Sequence, residues 1–207
     1  MRGESTEDYD VNMDELLGIR TAGRDESGAD LDHNPYEATP YTVLERLANS
    51  GLIGKRNTVI DYGCGKGRVG FYLSYQLRCN TIGIERDTRL YEAALRNAQK
   101  AAYAKKTVFV HTCAEDYLIP EQADRFYFFN PFSATVFGNV LKNIQTSLAK
   151  KPRQIMLLLY YPDQSFFEAL SQTPWLSPAT PRDISCHNLF STQDPREVIS
   201  VYENTIM

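Results

Sequence analysis

The stretch VIDYGCGKGRVGFYL, residues 59–73, decides the fold of this chain. An apolar run ends at Asp61, three glycines follow at positions 63, 65 and 67, and apolar residues then return at helical spacing. Glycines between a strand and a helix let the backbone turn tightly and approach a ligand closely. The stretch therefore predicts a buried strand, a loop at the mouth of a sheet, and a helix.

Outward from this stretch, predicted strands and helices alternate. The periodicity predicts strands at 58–62, 80–85, 108–112, 126–129 and 154–161, and helices at 41–49, 68–76, 88–106, 134–149 and 164–171. Two extended segments, 183–190 and 197–202, flank the turn signal Asp194-Pro195 and predict an antiparallel hairpin. We expect a doubly wound α/β fold with a mainly parallel seven-stranded sheet, a C-terminal antiparallel hairpin and three α/β/α layers.

Charge is distributed unevenly along the 207 residues. The net charge is -4, but residues 1–34 hold ten acidic and three basic residues. We therefore divide the chain into an acidic, partly flexible N-terminal arm, residues 1–33, and one domain, residues 34–207. Without a clustered Lys/Arg block, charge gives no indication of duplex nucleic acid binding.

The remaining composition indicates the class of protein. No apolar run approaches the roughly 20 residues that cross a bilayer, and the polar, acidic N-terminus does not resemble a secretory signal. We expect a soluble, cytoplasmic protein. The four cysteines are scattered without a CxxC pair, so the sequence predicts neither a disulfide framework nor a metal site.

The glycine spacing distinguishes between classes of nucleotide ligand. A dinucleotide fingerprint G-x-G-x-x-G counted from Gly63 needs glycine at position 68, where the chain has Arg68. A phosphate-binding P-loop fails at the same position. Glu85 ends the second predicted strand, and a carboxylate there can accept both hydrogen bonds of a ribose diol.

The pattern D-x-G-x-G-x-G, from Asp61 to Gly67, resembles the first motif of class I S-adenosylmethionine-dependent methyltransferases. The resemblance implies that Asp61 and Gly63 lie near the methionine amino group of the cofactor and that Glu85 binds its ribose. It also implies that Ala114 and Glu115, in the segment CAED, approach the adenine. The full set of cofactor-binding residues implied in this way is Tyr36, Tyr41, Asp61, Gly63, Cys64, Gly65, Gly67, Glu85, Arg86, Ala114, Glu115 and Asn130.

The predicted catalytic residues are Asn130, Pro131 and Phe132, after the fourth predicted strand. They resemble the Asn-Pro-Pro-aromatic motif of methyltransferases that modify amino groups, with one proline fewer. An Asn carbonyl oxygen and the next backbone carbonyl can accept hydrogen bonds from a target nitrogen, while the aromatic ring shields it. The alternative is a rigid strand end with Phe132 packed in the core.

The segment NPYEATPY, residues 34–41, resembles the part of several methyltransferase families that covers the cofactor. Tyr36 and Tyr41 are therefore predicted to cover it, because aromatic faces attract cations and the cofactor carries a sulfonium. The alternative is that both tyrosines simply pack in the core.

Together these patterns predict an S-adenosylmethionine-dependent methyltransferase that modifies a nitrogen of a protein side chain or a small molecule, with nucleic acid a less favoured acceptor and no membrane partner. One alternative is a catalytically inactive S-adenosylmethionine-binding or regulatory protein of the same fold. A remote alternative is an NAD-dependent oxidoreductase, because Glu85 suits the ribose of that cofactor equally well, although Arg68 argues against it.

Overall fold

The computed structural model describes residues 6–101, 103–191 and 194–205, and a single eight-stranded sheet lies at its centre. The strand order is β3-β2-β1-β4-β5-β8-β6, with β7 paired to β8. The first five strands pair in parallel, whereas β8 runs antiparallel to β5, β6 and β7. The strands are β1 (Thr58–Tyr62), β2 (Asn80–Glu85), β3 (Thr107–His111), β4 (Arg125–Phe129), β5 (Met156–Tyr160), β6 (Leu176–Pro178), β7 (Ile184–Ser185) and β8 (Val198–Asn204).

The predicted mainly parallel sheet with antiparallel C-terminal pairing is confirmed, with one strand more than expected. The additional strand is β6, three residues at the sheet edge that end in Pro178. Proline donates no ladder hydrogen bond, and a short edge strand tolerates it. The predicted hairpin forms through β7 and β8, where Ile184 faces Ile199.

Helices cover both faces of the sheet and enclose two core clusters, so the predicted three layers are confirmed. The predicted helix 88–106 ends early, because the Asn97 carbonyl accepts from the amides of Lys100 and Ala101 and closes a turn. None of the helices within the described ranges is long and apolar enough to cross a membrane. The helices are α1 (Thr6–Leu17), α2 (Tyr41–Asn49), α3 (Arg68–Leu77), α4 (Thr88–Ala98), α5 (Ala134–Lys150) and α6 (Gln164–Ser171).

The acidic N-terminal segment, within its described residues, packs against the domain. In α1 and the loop after it, Met13, Leu17 and Ile19 are buried in the same core cluster as α2 and α3. Two of its acids, Asp10 and Asp14, face the buried guanidinium of Arg68. The leader, as we call residues 6–40, thus packs against the domain, and its negative charge is partly neutralised there.

Candidate functional site

The glycine loop lies at the carboxyl end of β1, and its backbone is tied to β2. The amides of Gly63 and Cys64 both donate to the carbonyl of Ile84, at 2.9 and 3.0 Å. Gly65 adopts φ 55°, and a Cβ there would lie 2.1 Å from the Tyr36 ring. This glycine is needed both for its left-handed backbone and for the close approach of the tyrosine.

The other loop residues have mainly packing roles. A Cβ on Gly67 would lie 2.5 Å from the Phe109 ring, so this glycine brings α3 close to the sheet. The thiol of Cys64 points towards Gly83 of β2, and burial raises its pKa well above the usual value. Only the backbone of Cys64 is therefore a candidate for ligand contact.

A cavity lies beside the loop, at the carboxyl ends of β1, β2 and β4. Residues of the leader form its outer wall. We call it the loop cavity; its volume is about 80 Å³, and it is lined by Asp25, Gly28, His33, Asn34, Pro35, Tyr36, Glu37, Gly63, Ile84, Glu85, Arg86, Asp87, Leu90, Thr112, Ala114, Phe129, Pro131 and Phe132.

Asp61 is a buried acid at the base of the loop with an unsatisfied oxygen. It is 3% exposed, and its Oδ2 has no hydrogen-bond partner among the described residues. Burial, reinforced by the negative charge of Glu85, raises the pKa of Asp61 to about 8. An unpartnered buried carboxyl is costly, so this site favours a ligand that brings a donor or a positive charge.

Glu85 lies in the loop cavity and holds the two backbone segments beside it. Its Oε2 accepts from the amide of Gly65 and its Oε1 from the amide of Asp87, both at 2.8 Å. Burial raises the pKa of Glu85, while these backbone hydrogen bonds oppose the rise. Each oxygen retains accepting capacity, so a diol can hydrogen-bond to the same carboxylate.

Arg86 links this end of β2 to the leader. Its guanidinium donates to the Gly28 carbonyl at 2.9 Å and to Asp30 Oδ2 at 2.6 Å. Arg86 lines the cavity, and these contacts also hold the cavity wall. Nothing in the sequence motif indicates this task, because Asp30 lies 56 residues away along the chain.

The two residues predicted near the adenine, Ala114 and Glu115, differ in their position relative to the cavity. Ala114 lines the loop cavity, whereas Glu115 does not. The backbone carbonyl of Glu115 accepts from Asn143 at 2.5 Å, and its Oε2 is buried without a partner among the described residues. Thr112, which sequence reasoning did not single out, lines the cavity instead.

The two tyrosines predicted to cover the cofactor also differ, because only Tyr36 lines the cavity. Tyr36 lies over Gly65, lines the cavity and donates from its hydroxyl to the Thr21 carbonyl at 2.5 Å. Tyr41 is fully buried, donates to Asp14 at 2.7 Å and lies outside the cavity lining. Tyr41 is a core residue, so the alternative reading of ordinary packing describes it better.

The Asn130-Pro131-Phe132 segment bends sharply where β4 ends. Asn130 adopts φ 41°, a left-handed conformation that asparagine tolerates better than most residues. Asn34 of the leader donates from its side chain to the Asn130 carbonyl at 2.7 Å and from its backbone to the Pro131 carbonyl at 3.1 Å. The two backbone carbonyls are therefore engaged, whereas the Asn130 side-chain amide has no hydrogen bond among the described residues.

Phe132 lines the loop cavity, but most of its ring is packed in the core. It is 4% exposed and packs edge-on against Phe128 and Tyr62, with ring centroids 6.2 and 6.4 Å apart. The ring that lies between the sites is Phe129, which lines both the loop cavity and a second pocket beyond Asn130. Sequence reasoning missed Phe129 because it appeared to be the last residue of a buried strand.

Arg68 is a further residue whose role sequence reasoning missed. At the start of α3 it is 3% exposed, forms an ion pair with Asp10 and lies 3.7 Å from Asp14. Its Nε donates to Thr21 Oγ1 at 2.6 Å, and its guanidinium stacks 4.5 Å from the Tyr41 ring centroid. Arg68 thus fastens the leader to the helix that follows the glycine loop.

Comparison with known proteins identifies the fold. The structure superposes on an RNA methyltransferase from Salinibacter ruber in complex with S-adenosyl-L-homocysteine (TM-score 0.56, 20% identity, 82% of this chain and 94% of that chain). It also superposes on precorrin-6y C5,15-methyltransferase from Geobacter metallireducens (TM-score 0.59, 12% identity, 82% and 90%). A third similar structure is the mitomycin 7-O-methyltransferase MmcR (TM-score 0.58, 14% identity, 79% and 53%).

These likenesses are below 25% identity and establish the fold alone. A search of curated proteins finds no match. A family model described as a methyltransferase domain matches residues 41–160, more than half of the chain, and includes the glycine loop and the Asn130 segment. The chain therefore belongs to this family of methyltransferase domains, and its fold is that of the class I S-adenosylmethionine-dependent methyltransferases.

Proposed function

We propose that this chain transfers a methyl group from S-adenosylmethionine to a nitrogen atom that Asn130 orients. The observation that carries the proposal is the position of Asn130. Its neighbours Phe129 and Pro131 line the loop cavity, while Asn130 itself lines the second pocket, with its side-chain amide unpartnered among the described residues. An amide oxygen at such a junction can accept a hydrogen bond from an amino group.

The residues around the loop cavity suit S-adenosylmethionine by their chemistry. Asp61 does not itself line the cavity, but it lies two residues before the lining residue Gly63 and has the unpartnered oxygen that the ammonium of a methionine moiety needs. Glu85 can accept from ribose hydroxyls, and Ala114 offers an apolar contact for a base. The cofactor supplies a methyl group on a positively charged sulfur, whose departure as a neutral thioether needs no metal.

The part of the leader that lines the cavity, residues 25–37, has to move outward before such a ligand enters, while residues 10–21 stay fastened by Arg68. The loop cavity measures about 80 Å³, whereas sites for ligands of this size are roughly 300–1,000 Å³. Its outer wall is held by the Arg86–Asp30 ion pair and by the hydrogen bonds from Asn34. These exposed contacts are individually weak, so opening of the wall is expected to be easy.

The chain's own residues then position the acceptor. Asn130 accepts one hydrogen bond from the acceptor nitrogen and aims its lone pair, while Phe129 covers the junction between the two spaces. An amine must lose one proton before it can attack. The second pocket is open to solvent and can release that proton to water. Positioning of this kind supplies much of the acceleration in group transfer.

The acceptor is not determined by the fold. The similar structures are named for RNA, a precorrin and the 7-O position of mitomycin, which are chemically unrelated acceptors. RNA therefore remains an alternative acceptor, although the weak positive charge beyond the leader offers few phosphate contacts.

The test is transfer of an isotope-labelled methyl group to amine and RNA acceptors by wild type and Asn130→Gly. Glycine removes the amide without straining the positive φ of position 130. We expect Asn130→Gly to lose at least about 100-fold in kcat, as mispositioned reactants do, with unchanged binding of S-adenosylhomocysteine. Asn139→Gly on α5 serves as the control, since Asn139 lies outside both linings. Full activity of Asn130→Gly would reject the role of Asn130, and absence of transfer by wild type would favour an inactive cofactor-binding protein.

A further inference from the structure

A second pocket lies next to the loop cavity, at the carboxyl ends of β4 and β5. We call it the strand-end pocket; its volume is about 450 Å³, and it is lined by Arg24, Asn34, Pro35, Glu37, Pro40, Phe129, Asn130, Tyr160, Tyr161, Phe190 and Glu197. Asn34, Pro35, Glu37 and Phe129 line both spaces. A ligand in the strand-end pocket is therefore separated from the loop cavity by one shared wall.

Aromatic rings form one side of the strand-end pocket. The Phe129 centroid lies 4.8 Å from that of Tyr160 and 6.4 Å from that of Tyr161, and the two tyrosine rings are 6.1 Å apart. The Arg196 guanidinium already lies 4.1 Å from the Tyr161 ring centroid, so Phe129 and Tyr160 are the rings of this group that remain for a ligand. Aromatic faces attract cations and also accommodate the methylene groups that carry them.

Glu197 gives this pocket a negative charge that the protein does not neutralise. It is 9% exposed, and its Oε2 accepts from the Tyr160 hydroxyl at 2.7 Å. No Lys, Arg or His of the described residues lies within ion-pair distance of it. A buried carboxylate without a cationic partner is unfavourable, so an incoming cation would relieve that cost.

The nearby carboxylates differ from Glu197 in this respect. Glu37 lies 3.2 Å from Arg24, and Asp194 lies 2.8 Å from Arg196. Each of these two carboxylates has an arginine partner, and the Glu37–Arg24 pair is also exposed to solvent, so their charges are compensated. Glu197 is thus the carboxylate of this pocket that remains available to a ligand.

We infer that the strand-end pocket binds the methyl acceptor, and that this acceptor is an alkylammonium group held by Glu197 and the rings of Phe129 and Tyr160. The inference rests on the proposed function and names its substrate class. The ammonium loses one proton to solvent, and the freed lone pair forms the new nitrogen–carbon bond. The carbon–sulfur bond breaks with its electron pair going to sulfur, so the products are a methylated ammonium, a thioether and one proton.

An alkylammonium can come from a free amine or from a lysine side chain. The probes are therefore n-butylammonium chloride and Nα-acetyl-lysine amide, each titrated into the full chain saturated with S-adenosylhomocysteine and followed by ligand-observed NMR. We expect both probes to bind wild type, with n-butanol a far weaker ligand because it lacks the charge. A ratio of affinities in favour of the lysine probe identifies a polypeptide source, and the reverse ratio identifies a free amine.

Glu197→Gln is the decisive variant, and Glu203→Gln, in the strand β8 that follows Glu197, is its matched control. Glu203 pairs with Arg182 at 3.4 Å and lies outside the pocket lining. Glutamine at 197 keeps an acceptor for the Tyr160 hydroxyl but removes the charge. We expect Glu197→Gln to weaken butylammonium binding about tenfold and to raise KM for an amine acceptor more than it lowers kcat, while Glu203→Gln behaves as wild type.

Equal binding of butylammonium by wild type and Glu197→Gln would overturn the inference, as would binding of n-butanol as tight as that of the ammonium. Methylation of a single-stranded RNA oligonucleotide without methylation of either amine would also overturn it. Calorimetric titration of wild type and each variant with S-adenosylhomocysteine distinguishes failure of this inference from failure of the proposed function. If wild type binds the cofactor product but neither amine, the inference fails alone; if the cofactor product does not bind, the proposed function fails.

Discussion

Raising the pH from 6 to 8 is expected to tighten the binding of S-adenosylhomocysteine, because Asp61 must ionise to pair with the ligand's ammonium. Burial and the charge of Glu85 raise the pKa of Asp61 to about 8, so in the free protein its carboxyl is mostly protonated at neutral pH. The ionised fraction rises from about 1% at pH 6 to about half at pH 8, which predicts an affinity gain of up to roughly 50-fold.

The direction of this pH dependence follows from the linkage between proton binding and folding. A carboxyl whose pKa is raised in the folded state contributes stability at low pH and loses it as the pH rises from its unfolded pKa of about 4 to its folded pKa of about 8. The free protein therefore becomes less stable across this window. The ligand's ammonium favours the ionised form, so it binds more tightly as the pH rises.

Isothermal titration calorimetry at pH 6, 7 and 8 measures this dependence, and repeating the pH 7 titration in buffers with different ionisation enthalpies counts the protons released. We expect close to one proton per ligand at pH 7. The control is Asp61→Asn, which cannot ionise and should bind weakly with no comparable pH dependence. Affinity that stays constant from pH 6 to 8 in wild type, or proton uptake in place of release, would refute the reasoning about Asp61.

Three further predictions concern the leader and the loop. Arg68→Ala leaves buried acids unpaired and should lower the free energy of unfolding by about 3–5 kcal/mol in urea titrations; a loss below 1 kcal/mol would contradict the buried network. Gly65→Ala should weaken S-adenosylhomocysteine binding and destabilise the fold, because its Cβ would lie 2.1 Å from the Tyr36 ring. The control is Gly51→Ala, because Gly51 also has a positive φ but a Cβ added there would have no neighbour within 4 Å. Asp30→Asn should raise the stopped-flow association rate of S-adenosylhomocysteine about two- to fivefold by releasing Arg86, and an unchanged rate would argue against a moving wall.

Local patterns predicted most of the sheet. The bounds of β1 and β2 agree with the sequence because each strand is a short segment rich in β-branched residues, TVIDY and NTIGIE. The glycine loop was equally predictable, since the three glycines have backbone conformations that other residues rarely adopt. The match of Glu85 to the end of β2 follows from the same local spacing.

Long-range pairing explains what sequence reasoning missed. The leader is acidic overall, but its few apolar residues reach the core because Arg68, far along the chain, neutralises Asp10 and Asp14. Tyr160 and Glu197 meet across the antiparallel pairing of β5 and β8, 37 residues apart, and no motif links them.

The positions of the aromatic rings around Asn130 also depend on contacts between residues that are far apart in the sequence. Sequence spacing selected Phe132 as the shielding ring, but Phe132, after the sharp bend at Asn130, is largely packed in the core and lines only the loop cavity, whereas Phe129, before the bend, lines both pockets. The backbone conformation of one residue therefore decided which ring faces the site. Such a bend depends on the contacts that Asn34 makes with this segment.

The most direct measurement of the central claim is a pair of calorimetric titrations of the full chain at pH 8, one with S-adenosylhomocysteine and one with NAD. We expect saturable binding of one S-adenosylhomocysteine per chain, weakened in Asp61→Asn, and no detectable heat from NAD. Saturable binding of NAD without any response to S-adenosylhomocysteine would contradict the assignment of the loop cavity, of Asp61 and Glu85, and of the reaction itself.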